Sequence, residues 1–280
     1  MARVRVVTDS AGDLTPPLAE EQGITIVPLS IRFGSEEFVD GATLSPAEFW
    51  SRCKSSDILP ETSAPSPGAF QQAFLGAAGE GYDGVVCINL SGALSATYQS
   101  ARTAADAVSD RVPVRVIDSR SVTMGQGLIA LAAAESAAGG ASLDEVAAVA
   151  HGLVERTHVF GAIDTLEHLE KGGRIGGARA LLGSLLSIKP VVHVIDGVVE
   201  EESKQRTRSR QLRYLADKIL EFGNLERVAV CNGAANDLDD LLELLAKVDA
   251  TYPLEVVNLG PVVGTHTGPG TIGVCVVTID

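Results

Sequence analysis

The segment from Gly260 to Val277 reads GPVVGTHTGPGTIGVCVV and places one titratable side chain, His266, among five glycines. Thr265 and His266 together suit the binding of a polar head group, because glycines let a ligand approach the backbone closely. The aliphatic residues on both sides predict a strand, a tight turn that presents Thr265 and His266, and a return strand. Taken alone, the segment is more typical of a glycine-rich turn with a surface histidine than of a functional site.

A second polar cluster, ETSAPSPGAF, runs from Glu61 to Phe70. Its two prolines favour extended backbone at the residues before them, so the segment is stiff before any ligand arrives. Ser66 is predicted to cap a helix that begins at Pro67. This capping leaves Thr62 and Ser63 free to bind a ligand.

Two further loops carry polar groups. In the stretch from Ile88 to Ser100, an apolar strand is followed by a helix that is predicted to begin near Ser95. A helix N-terminus with nearby hydroxyls, here those of Ser91 and Ser95, is suited to bind a carboxylate or phosphate. Helix capping alone also explains Ser95. In LEKGGRIG, Arg174 lies on a glycine-rich loop, where it can bind an anion, dock a partner or be simply solvated.

Composition excludes several classes of function. The formal net charge of −14 argues against nucleic acid or an anionic membrane as the main partner, and 4% aromatic residues leave few surfaces for base stacking. The four cysteines lie far apart, without a CxxC pair or a histidine at metal-ligand spacing, so no metal site is expected. No apolar signal core or membrane-length segment is present, which predicts a soluble, cytoplasmic protein.

The first half of the chain alternates short β-branched runs with alanine-rich helical stretches, a pattern typical of a parallel sheet flanked by helices. The second half has six strand candidates, and Asp196-Gly197 between two of them predicts a hairpin and a mixed sheet. We therefore expect an α/β protein of two domains, residues 1–157 with a parallel sheet and residues 158–280 with a mixed sheet.

The chain resembles the DegV family in seven motifs that occur in order: TDSAGDL, ETSAPSPGAF, LSATYQSA, VIDS with MGQG, LEKGGRIG, IKPVV and GPVVGTHTGPGTIGV. They extend from Thr8 to Val274. The resemblance implies a two-domain DegV-type fold that holds one long-chain fatty acid in an apolar tunnel, with no cofactor and no catalytic residue of its own. It also implies a partner, a fatty acid kinase, which converts the presented carboxylate into an acyl phosphate for phospholipid metabolism in bacteria.

The resemblance also implies roles for individual residues. Thr62 and Ser95 would hydrogen-bond the carboxylate, with His266 beside them and Ser63, Ser91 and Thr265 as further candidates, while Arg174 would face the kinase. The family usually has glycine where this chain has Ala96, and the added methyl group could shift the geometry at Ser95. Ser91 is then the alternative hydroxyl for binding the carboxylate.

Two enzymatic alternatives remain. A serine hydrolase acting on an acyl substrate would use Ser95 or Thr62 with His266, although the chain has no GxSxG elbow and no evident carboxylate to orient the histidine. A nucleotide-using kinase is the second alternative, and the chain has neither a Walker A nor a dinucleotide-binding glycine pattern.

Overall fold

The computed structural model describes residues 3–56, 58–181 and 188–279, which form three β-sheets with helices between and around them. Within these residues no helix is long and apolar enough to cross a bilayer. The strands are β1 (Val4–Asp9), β2 (Ile24–Val27), β3 (Ser30–Phe33), β4 (Glu36–Val39), β5 (Glu61–Ser63), β6 (Gly84–Asn89), β7 (Val114–Asp118), β8 (Thr157–Ala162), β9 (Lys189–Ile195), β10 (Val198–Gln205), β11 (Leu225–Gly233), β12 (Glu255–Asn258) and β13 (Thr271–Thr278). The helices are α1 (Pro16–Glu21), α2 (Pro46–Ser55), α3 (Pro67–Gly79), α4 (Thr97–Ala107), α5 (Met124–Ala138), α6 (Leu143–Val154), α7 (Glu167–Lys171), α8 (Arg208–Leu220), α9 (Leu238–Leu245) and α10 (Pro261–Thr267).

A four-stranded sheet of order β2-β1-β6-β7 is parallel throughout, as the alternating pattern predicts. Successive side chains of a strand point to opposite faces. Val7 and Cys87 accordingly pack against α3 and α4, while Val6 and Ile88 pack against α5 and α6. The polar residues that follow β1, β6 and β7 therefore lie together at the carboxyl edge of this sheet.

Helix α5 lies between the parallel sheet and a second, six-stranded sheet. Every residue from Met124 to Ala134 is buried, which explains why the helix has no polar face. Its alanines and glycines let both sheets approach, and one core cluster joins β1 and β6 through α5 to Cys231 and Cys275 of the second sheet.

The six-stranded sheet has the order β10-β9-β8-β13-β11-β12 and is mixed, because only β11 and β12 are parallel neighbours. Helices α8 and α9 cover its outer face. Asp196 and Gly197 both have positive φ, 50° and 81°, and connect β9 to β10, which confirms the predicted hairpin. The division at residue 157 stays a prediction, since the core cluster around α5 crosses it.

The predicted strand–turn–strand at residues 260–277 is wrong in its first half. Residues Pro261–Thr267 form helix α10, and only Thr271–Thr278 form a strand. Pro261 occupies the first helical position, where its missing N–H costs no hydrogen bond. The β-branched Val262-Val263 pair favoured a strand, but tertiary packing overrides this weak propensity.

A small antiparallel sheet of order β4-β3-β5 was not predicted from the sequence. Its strands are three or four residues long, too short for a clear alternating pattern. This sheet is nevertheless important for the site, since β5 carries Thr62, which pairs with Ile31 of β3.

Candidate functional site

An apolar cavity lies where the six-stranded sheet meets the loops that follow the parallel strands. Strands β8 and β9 supply Val159, Val192 and Val194, and the loops supply Leu29 and Leu90. The space between the lining residues, counted with its open mouth, is about 840 Å³.

Two glycines leave the sheet bare where it borders the cavity. Gly161 of β8 and Gly273 of β13 are paired directly across the two strands, and both line the cavity. A Cβ placed on Gly273 would have no neighbour closer than 3.5 Å, an ordinary van der Waals distance, so a side chain can be accommodated there without a clash. Gly273 is the more open of the two positions, because a Cβ on Gly161 would lie 3.3 Å from the Val192 Cγ2.

Four polar side chains, predicted on separate loops, all line this cavity: Thr62, Ser95, Arg174 and His266. Three other threonines, Thr123, Thr267 and Thr271, also line it, but their hydroxyls already donate to protein acceptors. The cavity is thus mostly aliphatic, with a small group of polar side chains able to orient a ligand.

Thr62 and His266 are in direct contact. The Thr62 Oγ1 and the His266 Nε2 are 3.0 Å apart, although the two residues are 204 positions apart in the chain. Strand β5 presents Thr62 and helix α10 presents His266, so the contact joins the small sheet to the GTH motif. A hydroxyl hydrogen-bonded to an imidazole is a suitable anchor for a carboxylate.

His266 is neutral at physiological pH. Burial lowers the pKa of its imidazole to about 4, and the positive charges of Arg174 and His168 act in the same direction. The ring is therefore a neutral hydrogen-bonding group and not a cation that pairs with an anion.

Ser95 lies just before α4 and lines the same cavity. Its Oγ is 2.9 Å from the Oγ1 of Thr97 and accepts a hydrogen bond from the Thr97 N–H. Ala96, which departs from the family pattern, is exposed and does not line the cavity among the described residues. Its methyl group therefore leaves the space around Ser95 open.

Arg174 is partly buried, and its guanidinium is turned toward the backbone. Its Nε donates to the Leu94 carbonyl at 3.1 Å, and its Nη1 donates to the Gly172 carbonyl at 2.6 Å. These bonds join the loop after α7 to the loop before α4, both of which contribute to the cavity wall. Arg174 thus borders both the ligand space and the surface.

A polar depression lies on the surface next to the cavity. It shares Thr62, Arg174 and His266 with the cavity, and it also includes His168 and Lys171 of α7. Glu61 also lines the depression, and the Lys171 ammonium is paired with Glu167. A group bound at Thr62 and His266 is therefore close to a solvent-accessible polar surface that carries charges of both signs.

The three further candidates from the sequence do not line the cavity in the described part of the chain. Ser91 is fully buried and donates to the Gly197 carbonyl at 2.6 Å. Ser63 is exposed on β5, and Thr265 donates to the Pro261 carbonyl while bordering only the outer depression. Their hydroxyls thus have structural partners or face solvent.

Helix α10 is held by close contacts that the sequence analysis did not identify. A Cβ on Gly264 would lie 2.8 Å from the rings of Phe49 and Trp50, so α2 packs directly on the backbone of α10. Asp13 accepts hydrogen bonds from the Gly260 N–H and the Thr123 hydroxyl, which ties the start of α10 to the N-terminal half. The sequence signals of this helix are Pro261 at its first position and the four-residue spacing of Gly260, Gly264 and Gly268.

His266 lacks the hydrogen-bonding environment of a hydrolase base. Neither ring nitrogen of His266 contacts a carboxylate, since Nε2 meets Thr62 and Nδ1 has no hydrogen-bond partner among the described residues. A histidine base in a hydrolase needs such an orienting acid. In the same residues, no group of three or more His, Cys, Asp or Glu is arranged to hold a metal ion.

Known proteins are similar to this chain over nearly its whole length. A DegV domain-containing protein from Listeria monocytogenes is 34% identical over 97% of both chains, and one from Streptomyces coelicolor is 36% identical over 98% of both. A fatty-acid-binding DegV family protein from Thermus thermophilus superposes with a TM-score of 0.88 at 32% identity, covering 99% of this chain and all of the other. DegV of Bacillus subtilis, a fatty acid binding protein, gives a TM-score of 0.87 at 31% identity over the whole of both chains.

The family model described as "Uncharacterised protein, DegV family" matches residues 3–278, nearly the whole chain. The α/β fold, with one parallel and one mixed sheet, is that of the solved DegV structures. The protein therefore belongs to the DegV family, as its seven motifs indicated.

Proposed function

We propose that this protein binds one long-chain fatty acid in the apolar cavity and presents its carboxylate to a fatty acid kinase. The observation that carries the proposal is the aliphatic cavity bordered by Thr62, Ser95 and His266, which come from three distant parts of the chain. The fatty-acid-binding relatives from Thermus thermophilus and Bacillus subtilis, at 32% and 31% identity, support it.

The acyl chain would supply most of the affinity. Burying ten methylenes at about 0.8 kcal/mol each contributes roughly 8 kcal/mol, whereas a neutral hydrogen bond contributes about 1 kcal/mol. Thr62, Ser95 and His266 would then determine the orientation of the ligand. A carrier that works in this way accepts related acyl chains while holding every carboxylate at one place.

The shared border of cavity and depression provides the access that a kinase needs. A carboxylate oxygen at Thr62 would attack the γ-phosphorus of ATP held by the partner, with ADP as the leaving group and an acyl phosphate as the product. Arg174 lies at this border and would contact the kinase or the transferred phosphoryl group. The carrier itself would supply neither nucleotide nor metal.

Mass spectrometry tests the carrier function directly. The freshly purified protein, measured under native and then denaturing conditions, should release an equimolar amount of a long-chain fatty acid. A protein that is empty and also fails to take up added palmitate or oleate would refute the proposal. Turnover of generic esters, abolished by Ser95→Ala, would instead favour the hydrolase.

A further inference from the structure

Helices α7 and α10 interlock through two histidines and two glycines. A Cβ placed on Gly172 would lie 2.4 Å from the Nδ1 of His266, and one placed on Gly268 would lie 2.6 Å from the Cδ2 of His168. Each helix thus presents a histidine to a glycine at the end of the other. Such distances are shorter than real Cβ contacts, so neither glycine can gain a side chain unless a ring moves.

Gly172 does not need to be glycine for reasons of backbone conformation. Its φ of −74° and ψ of −9° are right-handed helical values that alanine adopts without strain. Replacing glycine by alanine at such a position normally stabilises a protein, because it restricts the unfolded chain. The space occupied by His266 is therefore the feature that excludes a side chain here.

The two nitrogens of His266 have unequal surroundings. Nε2 lies 3.0 Å from the Thr62 hydroxyl oxygen, whereas Nδ1 is buried against Gly172 without a hydrogen-bond partner among the described residues. A neutral imidazole carries its proton on one nitrogen only. A proton on Nδ1 would create a buried N–H without an acceptor, which is rarer and more costly than an unfilled lone pair.

The tautomer determines which way the Thr62 hydroxyl points. With the proton on Nε2, His266 donates to the Thr62 Oγ1, and the hydroxyl hydrogen of Thr62 is free to donate to a ligand. With the proton on Nδ1, the Thr62 hydroxyl must donate to Nε2 and is lost to the ligand. Only the first arrangement offers a donor to a carboxylate.

We propose that Gly172 is a positioning residue. Its missing side chain makes room for the His266 ring in an orientation that leaves Nδ1 without a partner among the described residues. This orientation favours the Nε2–H tautomer and so directs the Thr62 hydroxyl into the cavity. This inference rests on the proposed function, because it assigns the donor that the fatty-acid carboxylate meets. Burial lowers the pKa of this imidazole, and Arg174 and His168 act in the same direction, so the ring is neutral and its tautomer decides its hydrogen bonding.

Palmitate titrations of a double-mutant cycle test the role of Gly172. Gly172→Ala should weaken binding about tenfold, the effect of losing one hydrogen bond to a charged group. In a His266→Ala background the same substitution should change affinity less than twofold, because no ring is left to displace. Gly76→Ala is the control, since a Cβ on Gly76 in α3 has no neighbour within 4 Å. Equal losses in both backgrounds, or no loss in the parent, would overturn the proposal.

Nitrogen-15 NMR of histidine-labelled protein tests the tautomer separately and needs no ligand. The protein has five histidines, and the pair of ring-nitrogen signals that is missing in His266→Ala belongs to His266. The parent should show a protonated Nε2 and an unprotonated Nδ1 at neutral pH, and the reverse pattern would refute the inference whatever the palmitate affinity. If the predicted tautomer is found but His266→Ala and Thr62→Val bind palmitate as the parent does, the head-group assignment fails instead.

Discussion

The bare glycine pair in the cavity predicts that acyl chain length can be limited by one substitution, Gly273→Val. Residue 273 lies on the same face of β13 as Cys275, toward α5 and the cavity, whereas its neighbours Ile272 and Val274 face α8 and α9. Valine suits a strand better than glycine does, and a Cβ at this position meets nothing closer than 3.5 Å. We therefore expect a fold at least as stable as the parent.

The size of the effect follows from the methylenes that the ligand can no longer bury. Valine adds three carbon atoms to the cavity, and we expect them to displace about two methylenes of a long acyl chain. At about 0.8 kcal/mol per methylene, this costs about 1.6 kcal/mol, or a factor of about 15 in affinity. Gly273→Ala adds only one carbon and should have a smaller effect of the same sign.

The assay is a titration series of saturated acids from decanoate to stearate with the delipidated protein. In the parent, affinity should rise with each methylene up to the longest chains, and in Gly273→Val the rise should stop at a shorter chain. Thermal melting of the empty proteins controls for stability. Curves of affinity against chain length that coincide for parent and variant would show that the acyl chain does not pass over Gly273.

Three further predictions concern the polar residues. Thr62→Val should weaken palmitate binding about tenfold because it removes a donor to the carboxylate, whereas Thr62→Ser should keep the affinity of the parent. Ser95→Ala should also weaken palmitate binding. Parent-like affinity in both Thr62→Val and Ser95→Ala would contradict the head-group assignment. Arg174→Ala should leave palmitate binding within about twofold of the parent and impair acyl-phosphate formation with the kinase, while loss of binding would place Arg174 in the head-group site. For His266, the unfolded chain takes up a proton near pH 6.5 but the folded one only near pH 4, so stability is lost as pH falls through this range. The measurement is the difference in unfolding free energy between neutral and acidic pH. In His266→Gln this difference should be smaller than in the parent by up to about 3 kcal/mol. An unchanged difference would refute the burial of this ring.

Local sequence patterns were sufficient for much of the fold. Alternating β-branched and alanine-rich stretches predict a parallel sheet with helices, Asp196-Gly197 predicts a hairpin, and Ser66-Pro67 predicts a capped helix start, all of which the structure contains. Each of these signals lies within a few neighbouring residues, where backbone preference and side-chain chemistry act directly. The same holds for the residue types of the site, since hydroxyls and an imidazole next to glycines already suggest a head-group site.

The arrangement of that site depended on contacts between distant parts of the chain. The Thr62–His266 hydrogen bond, the Gly172–His266 contact and the Gly161–Gly273 pair each join segments about a hundred or more residues apart. Helix α10 was predicted as a strand because its valines favour extended backbone, whereas packing of α2 on Gly264 and the Asp13 bond to Gly260 stabilise the helix. The sequence by itself thus determined the parallel sheet, the hairpin at Asp196-Gly197 and the chemical groups of the site. Only tertiary packing decided the small sheet, helix α10 and which groups meet, because the free energy of burial depends on contacts that no local pattern records.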